Sequence, residues 1–139
     1  MFKNILVAVD GSDHSLKAAR LAGDLARLTH AGLCLVTAFD PIPSFLGEPD
    51  RQRVTSAHLK AAEEAVAKGQ REIGDINGKI DQEIIEGPAA EAIIRIAETR
   101  SSDLIIMGTR GLGQLSGWVL GSQSQKVVSH APCPVLLAR

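Results

Sequence analysis

The sequence predicts an α/β fold: a doubly wound, five-stranded parallel sheet with helices on both faces. Three observations carry this. Five short apolar runs alternate with stretches of helical periodicity along the 139 residues, and strands separated by helices are joined by crossovers, which make neighbouring strands parallel. The first run, Ile5-Leu6-Val7-Ala8-Val9, is continuously apolar rather than alternating, as in a strand covered on both faces. The fourth run ends abruptly in glycines that open directly into a helix. The length suits one domain, residues 1–139, with a proper core.

The elements follow in order. Lys3 to Val9 forms the first strand, ended by Asp10-Gly11-Ser12, with Ser12 or Asp13 as helix cap. Leu16, Ala19, Ala22, Leu25 and Ala26 recur at helical spacing to about Thr29, and His30-Ala31-Gly32 closes that helix. Leu33 to Phe39 is the second strand. Asp40 to Pro49 holds three prolines and a glycine, which exclude regular structure. Its Ile42, Phe45 and Leu46 pack either as a partial lid over a neighbouring site or over the core edge. Asp50 to about Lys68 is an alanine-rich helix. Ile73 and Ile76 extend its pattern, while Gly69 and Gly74 argue for a loosened end. Lys79 to Glu86 is a third strand whose polar residues suit a sheet edge. Gly87-Pro88 starts a helix with Ala89, Ala92, Ile93, Ile96 and Ala97 on its buried face. Asp103 to Met107 is the fourth strand, Ser122 to Ser129 a helix stopped by Pro132 and Pro134, and Val135 to Ala138 the terminal strand.

The chemistry concentrates after the fourth strand. Gly108, Gly111 and Gly121-Ser122 give G-x2-G-x9-G-S. A flexible backbone at a strand's carboxyl end, followed by the unpaired N–H groups of a helix start, is an arrangement that holds phosphate. It is not a P-loop, because no Gly-Lys-Ser/Thr follows the glycines. It is not a dinucleotide fingerprint either, because Gly117 comes one residue too late after Gly111 and Gly113. This spacing resembles the ATP signature of the nucleotide-binding branch of the universal stress protein family. The tail from Gly121 to Val127, and then His130-Ala131-Pro132-Cys133-Pro134-Val135-Leu136, is similar to that family's ending. The resemblance covers essentially the whole chain. It implies the strand order 3-2-1-4-5, which pattern alone leaves open. The topological switch then lies between strands one and four, with Asp10 and Gly108 facing each other.

Asp10 ends a buried run before Gly11. Its carboxylate suits Mg²⁺ bridging phosphates, or a ribose hydroxyl, and alternatively caps the first turn. The resemblance implies a nucleotide role for it. Gly108, Gly111, Gly121 and Ser122 are expected to offer N–H groups to phosphate, with the Ser122 hydroxyl, a main-chain donor from Gln123 and the Ser124 hydroxyl in addition. Arg110 is a candidate phosphate partner. Leu115 and Trp118 anchor the loop, or Trp118 meets a partner subunit. Ala38 aligns with the position whose backbone reads adenine in the family, and Ala8 and Val9 suit the floor of that slot. The family often has histidine where Thr37 stands.

Composition narrows the function further. A formal net charge of −1 gives no field for nucleic acid or anionic membrane, and 3% aromatic residues give no base-stacking platform. No apolar stretch reaches membrane-spanning length, and the start lacks an export signal's order, so cytoplasm is the expected location. Cys34 and Cys133 lie far apart in apolar runs and read as buried thiols rather than a disulfide. His14, His30, His58 and His130 are scattered, and no Ser-His-Asp arrangement is supported. The leading expectation is an ATP-binding stress protein with a regulatory or protective role, using Mg²⁺ or Mn²⁺ and hydrolysing ATP slowly at most. The alternatives are a nucleotidyl-transfer or hydrolytic enzyme of a related α/β fold, and an interaction module without nucleotide, with a protein partner not identified by sequence. The last strand has no following segment in the sequence to cover it. It is expected to pair with a second copy, as the resemblance also implies.

Overall fold

A computed structural model of the chain describes residues 1–110 and 120–139. Gly111, Leu115 and Trp118 therefore lie outside the described residues. The elements are β1 (Asn4–Ala8), α1 (Asp13–Thr29), β2 (Gly32–Phe39), α2 (Asp50–Ile73), β3 (Ile80–Glu86), α3 (Ala89–Thr99), β4 (Leu104–Gly108), α4 (Ser122–His130) and β5 (Val135–Ala138). The sheet runs β3-β2-β1-β4-β5, with every neighbouring pair parallel. This is the doubly wound order expected, with β3 at an edge.

Strand alternation divides the core. Ile5, Val7, Leu33, Leu35, Leu104 and Ile106 pack with the alanines of α1 and with Val66 and Ile73 of α2. Leu6, Ala8, Cys34, Val36, Ile105 and Met107 pack against α3 and Val127 of α4. Successive side chains point to opposite faces, so continuous apolar runs are required where both faces are covered. The four alanines of α1 are at most 1% exposed, and their small side chains bring the helix close to the sheet.

The second helix corrects the expected boundary. It runs to Ile73 without loosening at Gly69. A Cβ at Gly69 would stand 3.2 Å from Leu35 Cδ1 and from Val9 Cγ2, so glycine permits close packing there at a tolerable helix cost. Gly74 then caps the end with φ 70°. Arg27 Nη1 donates to the carbonyls of Ile73 (2.8 Å) and Asp75 (2.9 Å), meeting acceptors that a helix end leaves open. The Asp103 carboxylate ties the start of β1 to β4 by accepting from the backbone N–H of Lys3 at 2.8 Å and of Asn4 at 3.2 Å.

Two further expectations change. Of the apolar residues in the 40–49 loop, Ile42 is buried and its N–H donates to Glu86 Oε1, whereas Phe45 is 85% exposed. Cys34 is buried, but Cys133 is only half-buried, because it lies in the turn before the short β5. Burial pushes the Cys34 thiol up to about 11, and Cys133 is also raised by burial. Neither is poised as a thiolate. Among the described residues no helix is long and apolar enough to cross a membrane.

Candidate functional site

The carboxyl ends of β1, β2 and β4 leave a cleft of about 300 Å³. Its floor follows from the alternation. Ala8, Val36, Ala38 and Met107 all face the α3 side, and the two alanines leave space where larger residues would fill it. Ala89 and Ile93 of α3 form an apolar wall. Asp10, Ser15, Gly108, Arg110, Gly121, Ser122, Gln123 and Ser124 form the polar end. Of the residues singled out in the sequence, Asp10, Ala38, Gly108, Arg110, Gly121, Ser122, Gln123 and Ser124 thus line one cleft. Asp10 and Gly108 are both at its rim, as the strand order required.

The local hydrogen bonds refine their roles. Asp10 Oδ1 accepts from the Ser12 N–H at 2.8 Å, closing a turn around Gly11, whose φ of 87° suits glycine. Ser12 caps α1 by accepting from the Ser15 N–H. The buried Ser15 hydroxyl donates to the Ser12 carbonyl at 2.9 Å and accepts from the Asp10 N–H at 3.2 Å. One carboxylate oxygen of Asp10 thus serves the turn.

On the other side, Ser124 Oγ donates to the Gly108 carbonyl at 2.9 Å, and the Gly121 N–H donates to the Thr109 carbonyl at 2.9 Å. Gly121 and the Ser124 hydroxyl therefore spend their protons on the β4 turn, where the sequence suggested donation to phosphate. The donors left at this end belong to the first turn of α4. Gly121, its N-cap, provides no side-chain cap hydrogen bond, and the N–H groups of Ser122, Gln123 and Ser124 have no intrahelical acceptor. Gln123 Oε1 accepts from the Ala90 N–H at 2.9 Å, so its side chain joins the starts of α3 and α4. With α1, three helix N-termini converge on the cleft and give its polar end a positive bias.

Close approach requires glycine at 108 and makes a larger residue tight at 121. A Cβ on Gly108 would meet His14 Cβ at 2.8 Å and the His14 carbonyl carbon at 2.9 Å. One on Gly121 would stand 3.3 Å from the Thr109 oxygen. His14 itself escaped selection from sequence. It is half-buried at the start of α1, with Nδ1 2.8 Å from Thr109 Oγ1 and Nε2 3.4 Å from Arg110 Nη2. Ser15, Val36, Ala89, Ile93 and Met107 were also missed as lining residues. Their contribution depends on which elements meet, and no local spacing announces it. Among the described residues no group of three or more His, Cys, Asp or Glu side chains gathers as a metal site.

A doubly wound sheet with a glycine-bearing turn and a helix start at its switch point defines a class of small α/β proteins with a cleft at the carboxyl ends of the strands. The whole chain, residues 1–139, matches the model of the universal stress protein family, and the protein belongs to that family. A universal stress protein of Thermus aquaticus, encoded in the QAH/OAS sulfhydrylase 3′ region, is 46% identical over 139 residues, covering 100% of both chains. Universal stress protein UspA from Lactobacillus plantarum superposes with a TM-score of 0.86 at 27% identity, over 99% of this chain and 98% of that one. A universal stress protein solved in complex with cAMP superposes with a TM-score of 0.72 at 25% identity, over 99% of this chain and 97% of that one.

Proposed function

We propose that the protein binds ATP in this cleft and acts in a regulatory or protective stress response rather than as a dedicated enzyme. The observation that carries the reading is the division of one cleft into two chemistries. Ala8, Val36, Ala38, Ala89, Ile93 and Met107 make an apolar slot, beside which the uncapped start of α4 and the Arg110 guanidinium gather positive character. An adenine ring suits the first and a phosphate chain the second. A relative of this fold was solved in complex with cAMP, in agreement with that division.

Asp10 fits a divalent cation that arrives with the nucleotide. It is a single carboxylate on the rim, and Mg²⁺ is commonly held by one or two carboxylates, several waters and the substrate's phosphates. Mn²⁺ would serve in the same way. Among the described residues the cleft is lined by no lysine and by no acid–base pair, so hydrolysis is expected far below the roughly 1–10³ s⁻¹ of dedicated enzymes. We further propose a homodimer through β5.

The binding test uses Ser122→Glu. Ser122 is exposed at the first position of α4, where a carboxylate is favourable to the helix but repels phosphate. Calorimetry with Mg-ATP should show binding by the unchanged chain and roughly tenfold or greater weakening in the variant, at an unchanged melting temperature. Absence of ATP binding by the unchanged chain, with Mg²⁺ or Mn²⁺ present, would refute the reading. Phosphate release at enzyme-like rates would refute the non-catalytic part.

A further inference from the structure

The turn after β4 is held from two sides. From α4 it is held by Ser124 and Gly121, as described. From α1 it is held by His14, whose two ring nitrogens reach two successive residues of the turn. The partners point to one tautomer of the neutral ring. A guanidinium has only donors, so the 3.4 Å contact requires Arg110 Nη2 to donate and His14 Nε2 to accept. The proton of the neutral ring must then sit on Nδ1 and be donated to Thr109 Oγ1 at 2.8 Å. Gly108 removes the Cβ that would otherwise push the first turn of α1 away, leaving the strand end in contact with the His14 backbone.

We propose that His14 is a positioning residue for the cleft: in its Nδ1-protonated form it bridges Thr109 and Arg110 and holds the Arg110 guanidinium at the polar rim. This deepens the nucleotide reading and rests on it. Arg110 lines the cleft, and His14 is not among its lining residues, so His14 acts through Arg110 rather than on the ligand. Fixing an arginine side chain in one rotamer for a ligand costs conformational entropy. A ring that restrains Arg110 beforehand reduces that loss, and affinity rises without any new contact to the ligand.

Two measurements on the full-length chain test this. The first is a cycle of His14→Ala, Arg110→Ala and the double variant, titrated with Mg-ATP by calorimetry. His14→Ala should weaken binding by about fivefold alone, and by less than about twofold once Arg110 is already alanine. His14→Gln, whose amide reaches the Nε2 position, should recover most of the loss. His14→Asn, whose amide reaches only the Nδ1 position and keeps the tie to Thr109, should not. This last pair separates positioning from mere support of the turn, because Asn keeps the turn latched and the fold intact. Additive losses in the cycle, or His14→Ala binding like the unchanged chain, would overturn the proposal. If the unchanged chain binds no nucleotide, the proposal falls together with the reading it deepens.

The second measurement needs no ligand. Long-range ¹H–¹⁵N spectra of the imidazoles in alkaline buffer should show His14 protonated on Nδ1. A proton on Nε2 would overturn the proposal, because Arg110 cannot donate to it.

Discussion

Thr37 has a hydroxyl buried where nothing answers it. The side chain is 3% exposed, and its Oγ1 has no hydrogen-bond partner among the described residues. Leu33 and Leu35 belong to the α1–α2 side of the core, so alternation directs Thr37 to that side, away from the Ala38 side that lines the cleft. A buried unpaired hydroxyl carries its full desolvation cost, whereas valine of nearly the same shape carries none. Thr37→Val is therefore expected to raise stability by about 1 kcal/mol, read as a higher urea midpoint at constant slope, while Mg-ATP affinity stays unchanged. A lower midpoint would show that the hydroxyl has a partner after all. The same residue illustrates a limit of sequence reading. In the sequence it stood out only as a departure from the histidine that the family often has there, and its orphan oxygen follows from burial that only the packed sheet reveals.

At the scale of elements, β4 and α1 approach closely beside the cleft. A methyl group on Gly108 would stand 2.8 Å from His14 Cβ, 2.9 Å from its carbonyl carbon and 3.0 Å from the Ser15 nitrogen. Two of these are backbone atoms of a helix and cannot turn aside. Gly108→Ala should thus cost about 1–3 kcal/mol through forced displacement, measured by urea unfolding. It should also weaken nucleotide binding, because α1 carries the Asp10 turn with it. A variant as stable as the unchanged chain would mean that the helix yields freely. The position of Gly108 was legible in the sequence because a fully buried strand such as Leu104–Gly108 must end where glycines break the apolar run. The five strands and four helices of the described residues were legible on the same grounds, within a few residues at their ends. The reason for this glycine was not. Sequence spacing pointed to phosphate contact, and the structure adds helix packing. His14 and Ser15 escaped, and Gln123 was singled out for its main chain but not for its side chain, because each side chain works by reaching another element: β4, the turn after β1, and the start of α3. Hydrophobic periodicity says which face of an element is buried, but not which polar side chain crosses to a neighbour.

For the whole molecule, the two edges of the sheet differ in a way that bears on assembly. At one edge, β3 carries Asp81, Glu83 and Glu86. Arg100 Nε donates to Glu83 at 2.6 Å, and its Nη1 to Asp81 at 3.0 Å. The guanidinium holds the Asp81 carboxyl below its ordinary range, with Lys79 assisting. A charged edge of this kind resists pairing with another strand. At the other edge, β5 reads Val-Leu-Leu-Ala and pairs with β4. Leu136 is 37% exposed there and Val128 of α4 is 48% exposed. Among the described residues no other strand covers this edge. Its open backbone groups and apolar side chains favour an antiparallel match with the same strand of a second copy, since a two-fold axis satisfies both edges at once. The proposed dimer leads to a mass near twice the 14.7 kDa of the chain, measured by light scattering at micromolar concentration. Leu136→Lys adds a charge to each copy at the self-facing edge without touching the cleft. It should shift the mass toward the single chain while leaving the melting of diluted protein and the affinity for Mg-ATP nearly unchanged. A single-chain mass for the unmodified protein would reject the dimer, and a Leu136→Lys protein still at twice the chain mass would move the interface away from β5.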